Sequence, residues 1–203
     1  DDVRRAADEA SPALKRRQEG DQEEALSSIQ RVAAERMSFS FRETPHFYLA
    51  VQVDMSQSMD MREQLMPVIE SRTGVHLSFS DILLFAVSRA LRRYPTMNAS
   101  YDDGKLIKHQ AVNVGLAVDT PRGLTVPVIH NADQLTLEKI ACERETAVEK
   151  ARHNQLSPDD LADGTFTVSN LGMLGVDLFG AIINPPEAGI LAVGSIKKRP
   201  VVI

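Results

Sequence analysis

The amino-acid sequence predicts an α/β sandwich, in which helices flank a largely central sheet. Three observations predict it. Short β-type runs, Val112–Val118, Leu124–Ile129, Thr165–Ser169 and Ile190–Val193, mix with helical segments at 81–94 and 136–153. The run Val112–Val118 is almost entirely apolar, as expected in the interior of a sheet. The chain has 203 residues, 43% hydrophobic and 25% charged. That suits one globular domain with an extension, able to bury about 70% of its unfolded surface.

The elements follow in order. Residues 1–26 are highly charged with few large apolar groups, and read as a tether that adds little to a core. Ser27 or Ser28 caps a helix running to about Ser40, with Ile29, Val32, Ala33 and Met37 on one face. His46–Met55 alternates, with Phe47, Leu49, Val51 and Val53 on one side, and predicts a strand with one buried face. Ser56–Arg72 is an amphipathic helix ended by Gly74. Ser80 caps a helix over Asp81–Tyr94, stopped by Pro95, with Ile82, Leu83, Phe85, Ala86, Val87, Ala90 and Leu91 largely buried. Asp102-Asp103-Gly104 reads as a hairpin turn. Val112–Val118 is a strand, Thr120–Gly123 a turn and Leu124–Ile129 a further strand. Thr136–His153 is a helix with Leu137, Ile140, Ala141 and Val148 facing inward. Two strands, Thr165–Ser169 and Ile190–Val193, complete the sheet.

Composition excludes several functions. A net charge of −5, 5% aromatics and no Trp give no reason to expect nucleic acid. No apolar run reaches the roughly 18 residues of a membrane span. The charged start DDVRRAADEA is no signal peptide. The single cysteine, Cys142, excludes an internal disulfide, fits a reducing compartment and reads as a small core residue. There is no metal-ligand spacing, no GxxxxGK[ST] and no GxGxxG.

The chemistry concentrates in residues 164–194, GTFTVSNLGMLGVDLFGAIINPPEAGILAVG. Ser169-Asn170 stands where a β run meets a loop punctuated by Gly172, Gly175 and Gly180 and closed by Pro185-Pro186. A hydroxyl and an amide at a strand end, beside backbone open to close approach, suit the stabilisation of developing charge. A capped turn is the plain alternative. Of the five histidines, His76, His109, His130 and His153 lie on helix ends, hairpins and loops without an orienting partner in sequence, and His46 favours a structural role. Asp119 ends a buried strand, as a turn cap or a ligand. Arg62 reads as a surface charge and Ser78 as a hydroxyl flanking a helix. Met55, Met59, Met61 and Met66 mark a packed or subunit-facing surface.

The same segment resembles the catalytic domain of the dihydrolipoamide acyltransferases of 2-oxo acid dehydrogenase complexes. Further blocks match in the family's order: Arg36-Met37, Pro45-His46-Phe47, Val53-Asp54, Pro95 with Asn98, Val112–Gly115, Asp119–Leu124, Val126–Val128, Gly164–Gly172 and Ile183–Pro186. The likeness covers roughly residues 27–203. It implies the chloramphenicol-acetyltransferase-like form of the sandwich, a mixed sheet with flanking helices. Asp2-Val3 followed by Arg-Arg-Ala looks like the end of the family's subunit-binding domain, so residues 1–26 become a linker to a catalytic domain at 27–203. The family's Asp-His-Arg-x-x-Asp-Gly motif, with its catalytic histidine, is not within the 203 residues. The catalytic domain is therefore expected to be incomplete, and inactive on its own.

The resemblance also implies an activity: transfer of an acyl group between a dihydrolipoyl thioester and coenzyme A. The lipoyl group is carried on a separate lipoyl domain, and no metal takes part. Coenzyme A would be bound through Arg62, Ser78, Asp119, Ser169, Asn170, Gly194 and Ile196, with Ser169 stabilising the oxyanion. Expected partners are two further copies in a trimer, a larger core built of trimers, and the 2-oxo acid decarboxylase and dihydrolipoamide dehydrogenase components. The apolar loop Leu178–Ala188 is the candidate interface. The compartment would be bacterial cytoplasm or mitochondrial matrix. A non-catalytic scaffold of the same complex and a free-standing small-molecule acetyltransferase remain as alternatives.

Overall fold

The structure, a computed structural model, describes residue 22 and residues 24–200. Among the described residues the α-helices are α1 (Ser28–Glu43), α2 (Ser56–Thr73), α3 (Phe79–Arg93) and α4 (Leu137–Arg152). The strands among them are β1 (Ala99–Asp102), β2 (Lys105–Lys108), β3 (Val114–Leu116), β4 (Val118–Thr120), β5 (Gly123–Thr125), β6 (Val128–Ile129), β7 (Phe166–Asn170) and β8 (Ile190–Val193). The expected α/β sandwich is present.

The main sheet has the order β6-β3-β7-β8 and is mixed. β3 pairs antiparallel with β6, and parallel with β7, which pairs parallel with β8. Successive strand residues face opposite sides. Val114, Phe166 and Val168 therefore meet Leu84 and Leu91 of α3 and Ile140 of α4 in the main core, with Leu191 and Val193 packed at its edge. Gly115, Thr167, Ser169 and Ala192 fall on the other face. A second cluster, Ile69, Leu77 and Ala141, ties α2 to α4 beneath the turn that enters α3.

Local chemistry explains the helix ends. Ser27 and Gln30 form a reciprocal capping box at α1, and Ser78 and Asp81 do the same at α3. Thr136 caps α4, and Gly74 ends α2 at φ 73°. Asp103 and Gly104, both at positive φ, close the β1–β2 hairpin.

Several expectations need correction. Ser78, not Ser80, caps α3. In α3, Leu84, Asp81 and Ser88 are buried, while Ala86 and Ala90 are exposed. The reason is that α3 is covered on the side of the sheet and of α4, a narrower stripe than its apolar composition suggests. Val32 is exposed as well, because α1 packs chiefly on the small β4–β5 hairpin and leaves that face uncovered. The expected strand 112–118 divides: Ala117 still donates to Val168 O, and the chain then leaves the main sheet to form the β4–β5 hairpin. The strand expected at 124–129 is likewise broken into β5 and β6 around Pro127, which offers no N–H to a ladder.

The largest departure is His46–Met55. It forms no strand and pairs with none among the described residues, and Phe47 and Val51 are 82% and 84% exposed. Alternation shows that one face is apolar; it does not supply a partner strand. Of the tether expected at 1–26, Leu26 is exposed, and Val3 and Leu14 lie outside the described residues.

Candidate active site

Three parallel strands end at one edge of the sheet, and most of the expected site residues gather around that edge. Ser169 and Asn170 close β7, opposite Ala192 and Val193 of β8, and Gly194 follows at once. Openings at the carboxyl ends of parallel strands are the usual ligand sites of α/β sheets.

Asn170 and Ser169 point to opposite faces. Asn170 turns toward the helices, donating Nδ2 to Ser80 Oγ at 3.1 Å and accepting from the Gly172 amide at 2.9 Å. It thus joins the strand end to the first turn of α3. Ser169 turns away from the helices, half-buried, and its hydroxyl makes no hydrogen bond among the described residues. Ser78, Ser88 and Ser100 differ, since their hydroxyls are engaged.

Arg62 lies on the helix side. Its Nε donates to Leu77 O at 2.8 Å, its Nη2 lies 3.0 Å from His76 Nε2, and its guanidinium stacks 5.0 Å above the Phe79 ring. These contacts aim a fixed cation at the N-terminal turn of α3. Ser78 is in that turn, but its hydroxyl is committed to Asp81 Oδ2 at 2.8 Å. Beneath the turn, Arg144 binds Asp81 through Nε at 2.9 Å and His76 O through Nη2 at 3.0 Å. Burial works against the Arg144 charge, but Asp81 and Glu145 more than offset it and raise its pKa further.

The remaining expected residues are less tightly joined. Gly194 is a crossing point: a Cβ there would stand 2.1 Å from Asp177 O. Ile196 is partly exposed, just beyond Ser195, whose amide bonds Val176 O at 2.8 Å. Asp119, on β4, is exposed, and no contact joins it to the others among the described residues. The structure therefore groups Arg62, Ser78 and Asn170 around the start of α3, sets Ser169 and Gly194 beside them at the sheet edge, and leaves Asp119 apart.

None of the five histidines faces Ser169 with an orienting carboxylate. His46 is structural, as expected. Its Nδ1 lies 2.6 Å from Thr44 O and its Nε2 accepts the Ile183 amide at 2.9 Å, which assigns the Nδ1–H tautomer. His109 binds Ser100, His130 approaches Asp159 O, and His153 caps α4. Asn98 and Asn113 are structural too. Asn98 donates to His109 O and Ala111 O, and Asn113 bonds Asp163 O and the Asn131 amide.

Sequence reasoning missed Glu187, which is only 6% exposed. Its carboxyl lies 2.7 and 2.9 Å from Thr167 Oγ1 and 3.0 Å from Asn184 Nδ2. Burial pushes its pKa from the ordinary 4.5 to about 7, although Thr167 and Asn184 pull the other way. An acidic residue just after two prolines reads as an exposed turn, so nothing in the sequence signalled it.

The profile of the 2-oxoacid dehydrogenase acyltransferase catalytic domain matches residues 18–203. The chain belongs to this family. A probable dihydrolipoamide acetyltransferase of Listeria monocytogenes superposes with a TM-score of 0.87 at 36% identity, over 91% of this chain and 79% of that one. The dihydrolipoamide acetyltransferase of Azotobacter vinelandii gives 0.87 at 34%, over 90% and 75%. A dihydrolipoyllysine-residue acetyltransferase component of the mitochondrial pyruvate dehydrogenase complex of Arabidopsis thaliana is 42% identical over 86% of this chain and 33% of its own length. A bacterial counterpart, from Rickettsia bellii, is 36% identical over 87% and 42%. The chain thus spans roughly a third to two-fifths of the curated relatives it matches.

Proposed function

We propose that this chain is the catalytic-domain portion of an acyltransferase that moves an acyl group between a dihydrolipoyl thioester and coenzyme A. The observation that carries the reading is the Ser169 hydroxyl. It stands at the carboxyl edge of a central parallel strand, unengaged, and so is available to an oxyanion. In the proposed reaction a histidine deprotonates the coenzyme A thiol. The thiolate adds to the thioester carbonyl, and Ser169 donates to the oxygen that gains negative charge. Collapse expels the dihydrolipoyl thiolate, which takes the proton. The histidine belongs to the family's Asp-His-Arg-x-x-Asp-Gly motif, which residues 1–203 do not contain.

On the helix side, Arg62 is suited to the nucleotide phosphates of coenzyme A. Ser78, Ser169, Asn170, Gly194 and Ile196 complete the coenzyme A site around the sheet edge, and Asp119 contacts the ligand from the β4–β5 hairpin. The acyl group arrives on a separate lipoyl domain. Residues 1–26 serve as the linker ahead of the catalytic domain. The protein assembles as trimers within a larger core, alongside 2-oxo acid decarboxylase and dihydrolipoamide dehydrogenase components. It works in bacterial cytoplasm or in the mitochondrial matrix. Two observations support assembly. The loop residue Leu178 is 75% exposed, and one neighbouring structure is the cubic core of a pyruvate dehydrogenase complex.

The test is Ser169→Ala in the longer protein that carries the histidine motif. Its turnover falls about 100- to 1,000-fold, with assembly intact and KM for coenzyme A little changed. Near-full turnover with chemistry rate-limiting would return Ser169 to a strand-end cap. Loss of assembly would make it a packing group.

A further inference from the structure

We propose that Glu187 is a positioning residue for acyl transfer, holding the Ser169 hydroxyl in place through Thr167. The inference rests on the oxyanion role of Ser169. Thr167 and Ser169 are two residues apart on β7, so both project from the face away from α3 and α4. Glu187 sits on that face. Both of its carboxyl oxygens lie against Thr167 Oγ1, and one also accepts from Asn184 Nδ2. Its backbone forms an isolated antiparallel bridge with Ser100 of β1. A single side chain therefore joins the strand that presents Ser169 to the loop Ile183–Glu187. That loop is anchored again by Ser40 Oγ on Ile183 O and by His46 on the Ile183 amide.

Burial favours the uncharged acid, while the two donors that reach the carboxyl favour the charged one. No cation contacts the carboxyl among the described residues; its partners are a hydroxyl and an amide. Two titratable groups stand on the segments packed around it. His109 bonds the Ser100 hydroxyl through Nε2 at 2.6 Å, and Asp163 precedes Gly164, whose Cα hydrogen faces Glu187 Oε1. Neither is bonded to the carboxyl. Ionisation leaves a buried charge without a cation but tightens the bonds that Thr167 and Asn184 donate, so the carboxyl keeps its hold on Thr167 in either state. The raised pKa of about 7 agrees with this arrangement.

The test measures coenzyme A–dependent acyl transfer by the full-length protein carrying Glu187→Gln, Glu187→Leu or Thr167→Val. Misplacing a reacting geometry by a fraction of an ångström to one ångström costs about 10- to 100-fold. Glu187→Leu and Thr167→Val each lower kcat by at least about tenfold, with KM for coenzyme A within about twofold. Glu187→Gln, whose amide oxygen still accepts from Thr167, keeps kcat near that of the wild type. Thr167→Val, which preserves volume, decides the matter if the leucine variant does not fold. In a Ser169→Ala background, Thr167→Val causes no further loss, because both act through one hydroxyl. Unchanged kcat in Thr167→Val, an undiminished loss in the Ser169→Ala background, or a Glu187→Gln variant as slow as Glu187→Leu would each overturn the proposal. A Ser169→Ala protein with full activity would overturn the oxyanion reading instead.

Discussion

Replacing Arg144 with methionine tests the physical basis of the turn that carries Arg62's contacts. Methionine keeps most of the apolar stem and deletes the guanidinium. The bonds lost are Nε to Asp81 Oδ1 at 2.9 Å, Nη2 to Asp81 Oδ2 at 3.2 Å and Nη2 to His76 O at 3.0 Å, together with the exposed-side pair of Nη1 with Glu145. The Asp81 side chain is fully buried and that of Arg144 is 11% exposed, so water does little to replace the missing charge. Removing one member of a buried ion pair costs about 3–5 kcal/mol. Asp81 keeps two donors, the Ser78 amide at 2.6 Å and the Ser78 hydroxyl at 2.8 Å, which points to the lower end of that range. In a domain of this size each kcal/mol moves Tm by about 2–4 °C, so a fall of roughly 6–12 °C is expected. Calorimetry on the assembled protein measures it. Asp81→Asn combined with Arg144→Met costs less than the sum of the two, since no uncompensated charge is left. KM for coenzyme A rises in Arg144→Met, because His76 and Leu77, which hold Arg62, lose their support. A fall below about 2 °C, or strictly additive variants, would refute the reasoning.

Gly194→Ala places a methyl group 2.1 Å from the Asp177 carbonyl oxygen, a backbone atom that yields only if the loop moves. It lowers stability by about 1–3 kcal/mol, read from the urea midpoint, and an unchanged midpoint would show that the crossing is loose. Glu187→Gln alters the pH dependence of stability. The folded pKa of about 7 lies above the ordinary 4.5, so the wild type is fully stabilised below pH 4.5 and loses about 3 kcal/mol as pH rises to 7 and beyond. The glutamine variant lacks that loss, so urea titrations at pH 5 and pH 8 should show its relative stability improving with pH; a constant difference would contradict the burial argument.

The sequence exposed what is set by short-range chemistry. Gly74, the turn at Asp103-Gly104 and the period of the apolar residues in α4 each act over a few residues, and each is found where the pattern put it. Capping was legible only in part. Ser78 and Ser80 both precede apolar runs, and the choice depends on Asp81 turning back to the Ser78 amide. What was not legible depends on partners far away in the chain. Asn98 bonds Thr165 across 67 positions and Glu187 bonds Thr167 across 20, and no local pattern distinguishes such residues from surface polar groups. His46–Met55 carries the alternation of a strand, yet a strand is defined by its pairing. For the site, Ser169-Asn170 was visible as a polar pair at a strand end. Arg62, Ser78, Gly194 and Ile196 came only from the family resemblance, and Asp119 read equally well as a turn cap.

The pleat of β7 gives that polar pair its meaning. Adjacent strand residues must face opposite sides, so one hydroxyl and one amide at the same strand end cannot share a task. The amide is used up in structure: Asn170 is bonded to Ser80 and to the Gly172 amide, which fixes the β7 end against the start of α3, where Arg62 stands. The hydroxyl is left free on the far face, above Thr167 and the buried Glu187. Under the proposed reaction this division is useful. The cation that meets the nucleotide lies on the helix side, and the donor that meets the reacting carbonyl lies on the other. The edge of the sheet separates them, so a ligand reaching both must pass over the carboxyl ends of β7 and β8. Gly172 and Gly194 cross backbone to backbone at that edge, where a Cβ on Gly172 would meet Gly194 O at 2.6 Å. The glycines therefore keep the passage low by letting main chains touch, and a side chain at either position would raise the barrier between the two faces as well as strain the fold.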